Sequence, residues 1–197
     1  MKTKLLSLSL LLFSFWFTTW AQLQTVNMNT RDNSQDLSGK YFKDIDGNFD
    51  PFIGVWQGTH QNTTMIIDIS KAVLGPSPGN NYAEDVLVAD IQLIEGMGTP
   101  MEMVICNTAT AYSHFDKLIR SIIRGDSYNG ITMSSALEDN CHPGNSAGGI
   151  VVMNIQNPQA SPLTATWEIE RKGIVAKTYP GEPDFVIPTS IVLTKQP

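Results

Sequence analysis

The sequence predicts an all-β protein, an antiparallel up-and-down β-barrel of about eight to nine strands. Three observations lead there. Apolar residues recur at every second position in successive runs from Phe52 to the C-terminus, the spacing of half-buried strands. Short clusters of Gly, Pro, Asn and Asp separate the runs, and no stretch carries a long helical period. No unit of about 20–50 residues repeats, which excludes solenoids and propellers. A two-sheet sandwich is the alternative. Closure is favoured because successive hairpins run end to end, and a last strand lying beside the first removes both edges.

The first 21 of the 197 residues have the form of a secretory leader. Lys2 and Lys4 supply its positive end. The apolar run 5–17 is too short to span a bilayer, and Thr19 and Ala21 fit a small-residue cleavage site. This divides the chain into a signal peptide (1–21), a polar lead-in (22–50) and a single barrel domain (51–197). The expected location is outside the cytoplasm, periplasmic or secreted, with no membrane span after cleavage. The formal net charge is −6, and loss of Lys2 and Lys4 makes it more acidic. Such a surface lacks the cationic footprint of a nucleic-acid binder and does not suit anionic lipid. A soluble monomer is expected.

Taken in order, residues 22–38 are rich in Asn, Asp, Thr, Ser and Gln and have no period, so little order is expected there. Tyr41, Phe42, Ile45 and Phe49 then supply apolar groups able to lie across the end of the domain. In residues 51–58, Phe52, Gly54 and Trp56 share one face of the opening strand. Met65, Ile67 and Ile69 mark its hairpin partner. Residues 75–81 are a Gly-Pro-Asn loop. Leu87, Ala89, Ile91 and Leu93 form one face of a long strand over 84–95. Met101, Met103 and Ile105 alternate up to Cys106. Strands follow at 118–124, 131–137 and 150–156, with a glycine-rich loop expected over 138–149. Leu163, Ala165, Trp167 and Ile169 give the cleanest alternation, residues 172–188 read as loop, and the last strand covers 191–195.

Cys106 and Cys141 are the two cysteines, both in the exported part, and a disulfide between them is the default in an oxidising compartment. Trp56 reads as a packing residue at the base of the barrel. If the barrel closes, Lys195 on the last strand reaches over its ring, with Arg171 as runner-up.

The stretch 52–56, with its Gly54-x-Trp56 core, resembles the opening strand of the lipocalin and calycin group. That resemblance implies a Trp at one end of an up-and-down barrel, with a basic side chain from a late strand over it. Residues 41–45, 84–88 and the tail 187–196 resemble a narrower family of small exported proteins of Bacteroidetes-type bacteria, a domain of unknown function. This second resemblance covers residue 41 to the end. It implies export and a lipocalin-like barrel, and no activity.

No constellation of residues points to catalysis, so no enzyme is expected. No Gly-x-Ser-x-Gly, His-Glu-x-x-His or phosphate loop is present. His60, His114 and His142 share no ligand spacing, and neither metal nor cofactor is expected. Asp44, Asp46, Asn48 and Asp50 suggest a calcium loop, but the glycine falls at the fourth place and the twelfth is Val55, so a turn is expected. Glu168 and Glu170 read as the solvated face of an amphipathic strand. By analogy of architecture, the expected function is binding of a small apolar or amphipathic ligand inside the barrel. The alternative is a non-enzymatic structural or interaction protein of the cell envelope. A roomy interior lined by Leu, Ile and Met would mark the first. An interior packed by Trp56, Trp167, Met103 and Met153 would mark the second.

Overall fold

The computed structural model describes residues 23–32, 36–77, 79, 81–109, 123–127, 129–139, 141, 146–176 and 185–197, without the side chains of 123–125, 138, 146–147 and 171–176. The segment expected to be a leader, His114 and His142 lie outside the described residues, as does the side chain of Arg171. The described chain is all-β apart from one 3-10 turn, Met28–Thr30.

Two strands belong to the lead-in, β1 (Gln24–Asn27) and β2 (Lys40–Lys43). A meander follows in β3 (Gly54–His60), β4 (Thr63–Leu74) and β5 (Ala83–Glu95). Then come β6 (Met103–Asn107), β7 (Ile123–Asp126), β8 (Thr132–Asp139), β9 (Ser146–Ile155), β10 (Thr164–Ala176) and β11 (Ser190–Lys195). The pairing path is β1-β2-β5-β4-β3-β11-β10-β9-β8-β7, with β6 off the path on β5.

This path has two ends, and the pairs β1–β2 and β2–β5 are parallel. The sheet is therefore mixed, where the sequence predicts a closed and wholly antiparallel one. The lead-in is the cause, because it adds two strands that the hydrophobic period does not announce. Within β3–β5 and β7–β11 every neighbouring pair is antiparallel. The long strand β5 is paired with β4 over 12 residues along one edge. Three short strands share its other edge: β2 at Ala83–Glu84, β7 at Leu87–Ala89 and β6 at Gln92–Glu95.

The predicted faces appear as the core. Met65, Ile67 and Ile69 on β4 are buried, as are Leu87, Ala89, Ile91 and Leu93 on β5. Val151, Met153 and Ile155 on β9, Ala165 and Trp167 on β10, and Ile191 and Leu193 on β11 complete it. Both indole N–H groups find acceptors within the fold, Trp56 at the Phe52 carbonyl (2.7 Å) and Trp167 at that of Pro188 (3.1 Å). Buried tryptophans are stable under that condition.

Three expectations are corrected. Met103 at the start of β6 is 55% exposed and Met101 in the turn before it 83%, so neither methionine packs inside. A register shift between Leu93 and Ile94 on β5 displaces the alternation there. Residues 23–32 are ordered as β1 and the 3-10 turn, with Met28 buried against the core. The glycine-rich run 146–149 is strand, paired with both β8 and β10. At Gly149 a Cβ would stand 2.9 Å from Ile169 Cγ2 and 3.1 Å from the Glu170 carbonyl, so glycine there serves close approach of the strands.

Candidate functional site

Gly54, Trp56 and Lys195 come together where β3 meets β11, with Lys195 opposite Trp56 in the register. The Lys195 Nζ stands 5.6 Å from the Trp56 ring centroid and donates to the Pro51 carbonyl at 2.9 Å. Burial lowers the pKa of this ammonium from its ordinary value, and the nearby charge of Asp50 opposes that shift. Gly54 has φ +119°, a conformation open to glycine and strained for other residues. A Cβ at Gly54 would also lie 3.3 Å from Lys195 Cε. The Gly-x-Trp spacing thus has a local cause: the glycine gives the backbone its turn and leaves room for the lysine stem that crosses towards the indole.

The Cys106–Cys141 disulfide is formed, with 5.2 Å between the Cα atoms, and ties the end of β6 to the segment between β8 and β9. Asp139, 4% exposed, organises the same region. Its carboxylate accepts from the backbone N–H of Cys141 (3.0 Å), Val186 (2.7 Å) and Ile187 (2.9 Å). A buried carboxylate so satisfied is a structural clamp.

The 44–50 stretch is a turn. The Asp44 carboxylate accepts from the N–H of Asn48 (2.8 Å) and Phe49 (3.0 Å) and lies 3.7 Å from Lys71 Nζ. Asp46 accepts from the side-chain amides of Asn27 and Asn29. These carboxylates bind the lead-in to itself and, through Lys71, to β4. Among the described residues no group of three or more His, Cys, Asp or Glu is placed to hold a metal, and His60 is exposed on β3. Glu168 and Glu170 are on the exposed face of β10.

A pocket of about 380 Å³, open on one side, lies between the lead-in and the strands β5, β7, β8 and β9. Arg31 and Met28 line it from the lead-in, Glu84 and Asp85 from β5, Asp126 from β7, and Ser134 and Ser135 from β8. Arg31 pairs with Glu84 through Nη1 and donates to the Tyr82 hydroxyl at 3.1 Å. Its guanidinium stands 5.6 Å from the ring centroid of Phe42 and 5.2 Å from that of Tyr82, and these rings meet edge to face. Asp85 accepts from the Tyr41 hydroxyl (2.5 Å) and from the backbone N–H of Asp44 (2.9 Å). Burial, then the hydrogen bond and charge of Asp85, push the Tyr41 phenol up to about 12, so it remains a protonated donor at neutral pH. Sequence reasoning does not single out this pocket. Its one local signal is Glu84-Asp85, two adjacent acids at the start of a long strand.

The model of a family of unknown function, DUF6705, matches residues 1–196. No curated protein and no solved structure matches the chain.

Proposed function

Starting from a chain that belongs to the family of unknown function DUF6705, we propose that it is an exported, non-enzymatic interaction protein built on a filled, lipocalin-like β-barrel. The pairing supports the barrel reading. From β5 the antiparallel ladder passes through β4, β3, β11, β10, β9 and β8 to β7, and three residues of β7 pair back to β5. Eight strands leave an interior that side chains can fill or that can take one small ligand. The observation that carries the reading is burial: Trp56, Met65, Ile67, Leu93, Met133, Met153 and Trp167 are all fully buried, which supports an interior occupied by side chains. An apolar ligand in the barrel would need the volume that these residues occupy. The leader supports export, and among the described residues no helix is long and apolar enough to cross a membrane.

The test is a titration of the mature chain with a fatty acid and with a fluorescent apolar probe, followed by tryptophan emission. A filled interior predicts no saturable binding to the native state. Stoichiometric binding that shifts the emission of Trp56 or Trp167 would restore the apolar-carrier reading. Export is tested separately: the mature protein should begin at Gln22 outside the cytoplasm, and an intact leader on cytoplasmic protein would refute it.

A further inference from the structure

We propose that the turn between β5 and β6 is a methionine oxidation site, where three thioethers take oxygen from a hydroperoxide while the fold beneath them stays intact. Met97, Met101 and Met103 fall within residues 97–103 and are 41%, 83% and 55% exposed. Met28, Met65, Met133 and Met153, the other methionines among the described residues, are buried at 4% exposure or less. The chain thus sorts its thioethers into two sets, one in the core and one in this turn. An exposed methionine gains little from the hydrophobic effect, so packing does not account for three of them at one turn. What remains distinctive of the side chain there is its sulfur.

The turn is held by groups that oxidation leaves alone. Thr99 and Glu102 donate their backbone N–H groups to the carbonyls of Gly96 (3.0 Å) and Thr99 (3.1 Å). The Thr99 hydroxyl donates to the Gly96 carbonyl at 2.7 Å and accepts from the Met101 N–H at 3.2 Å. The Glu102 carboxylate accepts from the Gly98 N–H at 2.9 Å. Gly96 and Gly98 supply positive φ angles, +63° and +77°. None of these contacts uses a methionine side chain, and Met103 is anchored by its backbone, opposite Glu95 in the β5–β6 ladder.

The step is a two-electron oxygen transfer. A lone pair of Sδ attacks one peroxide oxygen, and the S–O bond forms as the O–O bond breaks. The proton on the transferred oxygen passes to the departing one, which leaves as water from hydrogen peroxide or as the alcohol from an alkyl hydroperoxide. The sulfur is oxidised to the sulfoxide and the peroxide is reduced. Access to the sulfur and the freedom of its lone pairs set the order. Met101 is the most exposed and reacts first, and Met103 follows. Met97 is the slowest of the three, because it is the least exposed and its Sδ accepts from Gln57 Nε2 at 3.8 Å. The carboxylates of Glu95 and Glu102 do not repel a neutral oxidant. Each apolar thioether becomes a polar sulfoxide, so the turn changes its surface character. In the core the same change would place an unmatched polar group among apolar neighbours, whereas in the turn water solvates it.

The test treats the mature, disulfide-bonded chain with hydrogen peroxide and follows each methionine by peptide mass spectrometry, with fragmentation that resolves the three turn positions. Met101, Met103 and Met97 should each gain an oxygen, in that order, about tenfold or more faster than Met65, Met133 and Met153. The melting temperature should stay unchanged once the turn is oxidised. The same treatment in urea should erase the differences, because every thioether then meets solvent. Met97→Leu, Met101→Leu and Met103→Leu together keep the apolar volume and should remove the fast uptake. The mapping on the parent chain decides the matter if that variant misfolds. Core methionines oxidised as fast as the turn, Met97 ahead of Met101, differences that persist in urea, or a melting temperature that falls as the turn is oxidised would each overturn the proposal. The apolar-probe titration reports on the barrel interior, so the filled-barrel reading and this one fail separately.

Discussion

Trp56 is held by four partners at once: the Phe52 carbonyl takes its N–H, Lys195 covers its face, Ile67 pairs with it from β4, and Gly54 gives the lysine its path. Trp56→Ala empties this volume and should cost about 3–5 kcal/mol in a denaturant titration. Lys195→Ala loses a half-buried contact over the ring and should cost about 0.5–2 kcal/mol. Equal costs would mean that packing does not dominate there. A second residue-scale expectation concerns Tyr41. Its pKa is raised in the folded state from 10.0 to about 12, so folding holds the proton more tightly. That contribution is complete below about pH 10 and is lost as pH rises towards about 12. Stability should therefore fall more steeply across this window in the parent than in Tyr41→Phe, as measured by urea titration at several pH values. Parallel curves would remove Tyr41 from the account.

The lead-in shows how an element forms without a strong periodic signal. The strands β1 and β2 are held by parallel backbone ladders, Gln24–Asn27 on Lys40–Lys43 and Tyr41–Phe42 on Ala83–Glu84. Met28, in the turn after β1, and Phe42 on β2 are buried at 4% and 3% exposure. Composition alone predicts that removing residues 22–38 has almost no effect. The structure reverses that: deletion through residue 32 removes β1, Met28 and Arg31, and should lower the melting temperature by about 5–10 °C. An unchanged melting temperature would show that the clasp adds nothing to stability. The disulfide acts on a different pair of elements. It closes a loop of sequence separation 35 between β6 and the β8–β9 connection. Reduction should cost about 3–4 kcal/mol if restriction of the unfolded chain dominates. Melting with and without reductant, together with alkylation showing no free thiol in the oxidised protein, checks both parts.

On the scale of the whole molecule, the β3–β11 contact joins the two ends of the meander with only two paired positions, Thr194 with Gln57 and Lys195 with Trp56. Gly58 stands beside it, and a Cβ there would come within 2.4 Å of the Val192 carbonyl. Backbone cannot yield as a flexible side chain does, so Gly58→Ala should push β3 from β11 and destabilise by about 2–3 kcal/mol. Hydrogen exchange should quicken in both strands together. Faster exchange in β3 alone would mean that the two strands are not one cooperative unit.

The faces of β4, β5 and β10 were legible in the sequence because period-two alternation is the direct imprint of one buried side on a strand. Trp56 as a packing residue followed from its size and Gly54 as its companion from a spacing, and the cysteine pair followed from an even count. Other features depended on which segments meet. Gly148 and Gly149 spell a turn in one dimension, and only the approach of Ile169 and Phe185 makes Gly149 a necessity of strand packing. The side pocket was hidden for the same reason: Arg31, Glu84, Asp126 and Ser135 lie in four distant segments, each of which alone is an ordinary polar surface. By itself the sequence determined the all-β class, the inward faces and the chemistry available to each segment, since these are local consequences of side-chain period and type. Tertiary structure decided that the lead-in joins the sheet, that its largest side chains are buried, and that the acids converge with Arg31 beside it. Backbone ladders are nearly indifferent to sequence, and a pocket exists only as a relation between segments that the chain order keeps apart.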